Sequence, residues 1–287
     1  VPLPRRFGHP AWTGPVCGAP QDRWSAVGTV SETVLLSQLV RASPERIWDA
    51  CAQPKGMRNW QADEVEGRVA PGQRLALRWP ALGASIELTV AELDMGRRLV
   101  LQAGRCRVTV TVQPGSVTLA QDGLTEKDET EGVASSWRVA LALLAHHLEQ
   151  HPLRGRHVSW FLQSVRTSAA AAHVFFTEPS ALRTWLAPDA EPLVPAGPVR
   201  MRLAWGERLT GRVLAHTAGR DVALSWEEQE QSVLVLRTLP SPRYADERLV
   251  AAVWSYWGEQ QPPPQARKGL AMAVRRLAGA LASRGTA

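Results

Sequence analysis

The chain has 287 residues, 45% of them hydrophobic, and a formal net charge of +6. That length accommodates two domains of ordinary size, and no apolar run reaches the ~18–20 residues that a membrane-spanning helix needs. The charge does not point to nucleic acid. It is carried by scattered arginines, with Lys55, Lys127 and Lys268 the only lysines and Asn59 the only asparagine, a skew that reads as GC-rich bacterial coding rather than a binding face.

In chain order, residues 1–28 hold five prolines and four glycines and are expected to form an extended arm. They lack the charged-then-apolar layout of a secretory signal. Cys17, Cys51 and Cys106 are widely spaced and form no Cys-x-x-Cys, which predicts unpaired thiols in a reducing cytoplasm and no zinc site. A strand is expected near 30–41, followed by a helix with Ser43 as N-cap and Pro44 at its first position. Further strands are expected near 66–79, 84–93, 98–103, 106–113 and 116–121. Trp137, Leu141, Leu144 and Leu148 then recur at i, i+4, i+7 and i+11, one face of a long helix. Strands without βαβ alternation predict an antiparallel sheet packed on helices. Pro152 and Gly155 interrupt the pattern, so the first domain is expected over 29–152 and a second over 156–287.

The second half repeats the first. Adding 125 to Gln38, Arg41, Ser43, Pro54, Arg58 and Trp60 gives Gln163, Arg166, Ser168, Pro179, Arg183 and Trp185, six identities at one offset. Leu75, Leu77 and Trp79 alternate after Gly72, as Met201, Leu203 and Trp205 do after Gly197; both sets are expected on the apolar face of a strand. Leu270, Val274, Leu277 and Leu281 repeat the spacing of the Trp137 stripe, on a helix opened by Pro262–Pro264.

The run from Leu39 through Ala42-Ser43-Pro44-Glu45 to Trp48-Asp49-Ala50, followed by Pro54 and Trp60, with Trp137 opening the last helix, resembles the SRPBCC (START-like) superfamily. Within it the sequence is most similar to homologues of the activator of the heat-shock protein 90 ATPase. The second copy is more divergent, with Ser168-Ala169 in place of Ser43-Pro44 and His173 in place of Trp48. The resemblance implies an α+β fold of two tandem helix-grip domains, each a curved antiparallel sheet around a long C-terminal helix. It also implies a choice among binding of lipids, sterols or polyketides, co-chaperone work and aromatase/cyclase activity. The co-chaperone's Asn-x-x-Trp-His-Trp element has no counterpart here.

Twelve tryptophans raise the question of a pocket. An empty cavity of ~300 Å³ would cost about 7 kcal/mol at roughly 24 cal/mol per Å³, so any large pocket must be occupied by ligand or plugged by bulky rings. The residues expected to line it are Trp79, Trp137 and Leu141 in the first copy, and Trp205 and Val274 in the second. Gln38 and Gln163 sit in line with apolar strand neighbours, and Arg105 and His216 would serve as polar groups of a cyclase-like site. His173 is a further acid or base candidate. His147 and His151, four apart, have metal-ligand spacing, but without an evident third ligand they read as a solvated helix end. Trp254, Tyr256 and Trp257 form an aromatic run open to either burial or a docking patch.

No phosphate loop, Gly-x-Ser-x-Gly or His-Glu-x-x-His is present. No catalytic residue, metal or cofactor is therefore assigned. The expectation is a non-enzymatic bacterial cytoplasmic protein that binds a hydrophobic small molecule or a protein partner. The alternatives are a co-chaperone-like activator of a heat-shock ATPase and a polyketide aromatase/cyclase.

Overall fold

The structure, a computed structural model, describes residues 32–124, 132–241, 244, 246–259 and 262–284; the expected arm at 1–28 and Cys17 lie outside them. The first domain runs β1 (Glu32–Leu39), α1 (Pro44–Ala52), α2 (Pro54–Met57), β2 (Glu64–Gly67), β3 (Arg74–Trp79), β4 (Ala84–Asp94), β5 (Arg98–Ala103), β6 (Cys106–Gln113), β7 (Ser116–Leu124) and α3 (Val133–Gln150). Its seven strands form one antiparallel sheet in the order β1-β7-β6-β5-β4-β3-β2. The strand expected near 66–79 is a hairpin of two. Gly67, at φ +113°, ends the first, and a Cβ there would lie 2.1 Å from the Arg74 carbonyl oxygen, so only glycine allows this close return.

The second domain runs β8 (Arg156–Arg166), α4 (Ala169–Thr177), α5 (Pro179–Trp185), β9 (Pro198–Arg202), β10 (Arg208–Thr217), β11 (Asp221–Trp226), β12 (Ser232–Pro240), β13 (Glu247–Trp257) and α6 (Pro264–Arg284). Its sheet order, β8-β13-β12-β11-β10-β9, is that of the first domain without a partner for β2. The two copies even share hydrogen bonds at the same offset. Ser43 Oγ accepts from the Arg46 amide and Ser168 Oγ from the Ala171 amide, each capping a helix. Trp60 Nε1 donates to the Ala50 carbonyl at 2.9 Å and Trp185 Nε1 to the Phe175 carbonyl at 2.8 Å. Both donors and both acceptors are 125 residues apart, so the duplicated tryptophan is kept by a bond that ties the short helices together.

The two long helices differ. On α6, Leu270, Ala273, Val274, Leu277 and Leu281 are buried while Arg275 and Arg276 face outward, the one-sided pattern that its spacing predicts. On α3 nearly every side chain from Val133 to Leu148 is buried, because one side packs in the grip of the first sheet and the other against the outer face of the second sheet at β10 and β11. The second sheet is correspondingly covered on both faces, and Val222–Trp226 and Val233–Leu236 show no alternation of burial.

The second grip is closed tightly. A Cβ on Gly269 of α6 would meet Trp205 ring carbons at 2.4 Å. Gly269→Ala is therefore expected to cost about 1–3 kcal/mol through overpacking, despite alanine's better helix propensity. Urea unfolding measures it, and an unchanged midpoint would show that the Trp205 ring is free to move aside. No described helix is long and apolar enough to cross a membrane. Cys51 is buried and free, its thiol pushed up to about 12 by burial. Cys106 is disulfide-bonded, so the expectation of three unpaired thiols does not hold, and the cysteines no longer argue for a reducing compartment.

Candidate ligand cavity between the two sheets

A cavity of about 130 Å³ lies where the first grip meets the second domain. Its wall from the first sheet is Leu77, Trp79, Ile86, Leu88, Leu101 and Val108. Helix α3 contributes Trp137, Ala140 and Leu143, and Trp60 and Leu82 come from the loops around them. The remaining wall belongs to the second domain: Arg156 and Trp160 on β8, Val235, Arg237 and Leu239 on β12, and Val253 on β13. The lining is apolar and aromatic except for Gln61, Ser136 and the two arginines.

Several polar groups at this junction are held by named partners. Trp160 Nε1 donates to Asp63 Oδ2 at 2.8 Å, and the Arg156 amide donates to Asn59 Oδ1 at 2.9 Å. The only asparagine of the chain thus ties the seam to the first domain. Arg156 donates through Nε and Nη2 to Ser255 Oγ at 3.0 and 2.9 Å. At the other end, Arg237 Nη2 donates to Ser136 Oγ at 2.7 Å and lies 3.6 Å from Asp221 Oδ2, which also accepts from Ser135 Oγ at 2.6 Å.

Burial raises the carboxyl of Asp63, opposed by Arg156, and that of Asp221, opposed by Arg237. Burial also lowers both guanidinium groups, Arg156 to about 10, with the facing carboxylate opposing it in each case. Arg156 is half-exposed as a residue, but its guanidinium end is buried and Nη1 has no hydrogen-bond partner.

Beyond the Arg156–Trp160 wall lies a second, polar cleft of about 480 Å³, lined by Arg58, Asp63, Glu64, His157 and Arg267 among others. Arg156 and Trp160 line both spaces and so form the partition between them.

The residues expected to line a pocket divide sharply. Trp79 and Trp137 line the cavity, and Trp137 Nε1 donates to the buried Gln121 side chain. Leu141 is buried in the same core but is not part of the wall. Gln38 is at the edge strand, with Nε2 donating to the Leu39 carbonyl at 3.0 Å, and Gln163 is half-buried on β8; neither reaches the cavity. Arg105 is exposed at the β5–β6 turn. Trp205 lies beyond β9 rather than on it, against α6, and Val274 is buried in the second core. His216 pairs with His173, ring centroids 5.3 Å apart, away from the cavity.

The second grip holds no comparable space among the cavities described. Trp185, Trp226, Trp254 and Phe176 are fully buried there, and Trp226 stacks on Trp254 at 5.0 Å.

Sequence reasoning missed Arg156, Trp160, Arg237 and Trp60 as lining residues. The signal for the second-domain three was the unalternating apolar run of β11 and β12, which betrays a sheet covered twice.

The histidines at the C-terminal end of α3 correct another expectation. His146, His147 and His151 are not solvated but buried, at 8%, 4% and 2% exposure. The Nε2 atoms of His146 and His151 both bond the Gln231 carbonyl of the second domain, at 2.6 and 3.0 Å, and His151 stacks on Trp257 at 4.7 Å. Trp254 and Trp257 are likewise buried, so the aromatic run is core rather than an exposed patch, with Tyr256 half-buried against His157. Among the described residues no group of three or more His, Cys, Asp or Glu side chains is arranged to hold a metal ion.

Residues 41–149 match the family described as Activator of Hsp90 ATPase homolog 1-like protein, from the end of β1 to the end of α3. Among curated proteins none matches the chain significantly. Similar solved structures include the di-domain ARO/CYC BexL from the BE-7585A biosynthetic pathway, 14% identical, covering 88% of this chain and 98% of its own at a TM-score of 0.36. DynU16, from the dynemicin biosynthetic locus, is 16% identical over 88% of this chain and 96% of its own, at 0.37. The Aha1 dimer from Colwellia psychrerythraea is 18% identical over 41% of this chain and 96% of its own, at 0.36. At these scores none of the likenesses argues for a shared activity.

Proposed function

We propose that the chain, two tandem helix-grip domains of which residues 41–149 match the Activator of Hsp90 ATPase homolog 1-like family, is a non-enzymatic binding protein for a small hydrophobic molecule. The ligand sits in the cavity shared by the two sheets. The observation that carries this reading is an apolar space of about 130 Å³ walled by Trp60, Trp79, Trp137 and Trp160, with the second domain completing it. Left empty, such a space costs about 3 kcal/mol at roughly 24 cal/mol per Å³, which a fitting ligand recovers. An engineered apolar cavity of about 150 Å³ takes up benzene, so the guest here is of single-ring size.

A polyketide, tethered or free, needs more room than this, since pockets for larger ligands hold about 300–1,000 Å³. The cyclase reading is therefore the less favoured. A co-chaperone role finds no specific support in the geometry.

Titration with single-ring aromatics, followed by tryptophan fluorescence and melting temperature, tests the proposal. Ala140, on α3 and in the cavity wall, provides the matching variant. Ala140→Met fills the space with a flexible side chain and is expected to weaken binding at least ten-fold while leaving the melting temperature unchanged or higher. Equal binding by the variant, or no saturable binding by the wild type, would sink the reading.

A further inference from the structure

The cavity holds little more than one ring, yet its partition from the polar cleft is a buried arginine. We infer that the ligand carries a carboxylate, seated on Arg156 at the boundary between cavity and cleft, with its apolar ring among the tryptophans. This inference rests on the proposed cavity and names the chemistry of its guest.

Three observations carry it. Arg156 lines both spaces, so an acid whose ring fills the inner one has its head at this residue. Two of its nitrogens are spent on Ser255 Oγ, while Nη1 is buried with no partner. A buried guanidinium N–H left unpaired is costly, and a carboxylate is the acceptor that matches its geometry best.

Arg237, the other arginine of the wall, also has a buried nitrogen without a partner, Nε, but it lies 3.6 Å from the Asp221 carboxylate and donates to Ser136. It sits opposite Ala251 on β13, whereas Arg156 sits opposite Trp257, so the two occupy opposite ends of the space. The remaining charges around the boundary are Arg58, Arg267, Glu64 and Asp63. Asp63 is the like charge that a carboxylate would meet. One of its oxygens is taken by Trp160 and the other is buried without a partner, while burial shifts its carboxyl toward the protonated form against the opposing charge of Arg156.

Calorimetric titration with benzoate and with benzamide, its neutral near-isostere, tests the inference on the wild type. Benzoate is expected to bind at least ten-fold more tightly. Arg156→Met is expected to erase that preference, Arg156→Lys to keep part of it, and Arg237→Met to leave it in place, each variant being checked by its melt. Equal or tighter binding of benzamide overturns the carboxylate while leaving the cavity reading standing. A preference lost in Arg237→Met but kept in Arg156→Met overturns the assignment to Arg156. If neither probe binds while toluene does, the inference falls and the cavity reading stands; if toluene also fails to bind, both fall. Should Arg156→Met prove unfolded, the wild-type ratio together with Arg156→Lys decides.

Discussion

Acidification from neutral pH toward pH 5 is expected to lower the melting temperature steeply, starting where the two domains meet. His147 has its pKa lowered from 6.5 to about 4 by burial first, then by the nearby positive charge of His151, Arg46, Arg156 and His146. His146 and His151 are lowered in the same direction by burial, with the Gln231 carbonyl opposing. Glu149 and Glu230 are the facing acids that act against the shift, and Arg154 adds to it at His151.

A depressed histidine pKa means that the unfolded chain takes up the proton first. The stability contributed is complete above pH 6.5 and is lost as the pH falls from 6.5 toward 4. For His147 alone that loss is about 3 kcal/mol at 1.36 kcal/mol per unit. Asp63 and Asp221, raised by burial, work in the opposite sense as the pH falls, so the difference between wild type and His147→Gln over the interval from 6.5 to 5 reports the histidine. Calorimetric melts across that interval measure the effect, and His147→Gln should flatten it. A melting temperature independent of pH there would mean that the junction tolerates imidazolium.

Truncating Trp254 to alanine should be as damaging, by removing one of the three large buried tryptophan rings of the second core. The ring is fully buried, stacks on Trp226 at 5.0 Å and donates from Nε1 to Ser232 Oγ at 2.8 Å. Loss of a buried tryptophan costs about 3–5 kcal/mol, with the orphaned hydroxyl adding to it. Urea unfolding of Trp254→Ala measures the loss. Trp254→Phe should recover most of the packing and none of the hydrogen bond, falling between the two. A midpoint within error of wild type would show that the second grip is less tightly filled than its tryptophans indicate.

These two cases show why some features were legible and others were not. Ser43 was readable as an N-cap with Ser168 as its repeat, and Trp60 and Trp185 as a repeated pair, because their bonds reach only three and ten residues along the chain. The histidines misled. Their position at a helix end suggests solvation, and only the second sheet lying across α3 buries them. Trp205 misled for a related reason: its alternation with Leu203 continues past the end of β9 into a turn, where the ring is captured by Gly269 of α6.

The sequence by itself determined the duplication, the antiparallel plan of each half and the helix starts, since these follow from periodicity and short-range bonding. Only the tertiary structure decided where the cavity lies and what walls it. Periodicity shows that a face is buried but not against what, and a cavity is the small difference between the volume enclosed by distant elements and that of the side chains meeting inside. In the second copy Trp185, Trp226 and Trp254 are fully buried inside the grip; in the first, α3 and the outer face of the neighbouring sheet leave about 130 Å³ open.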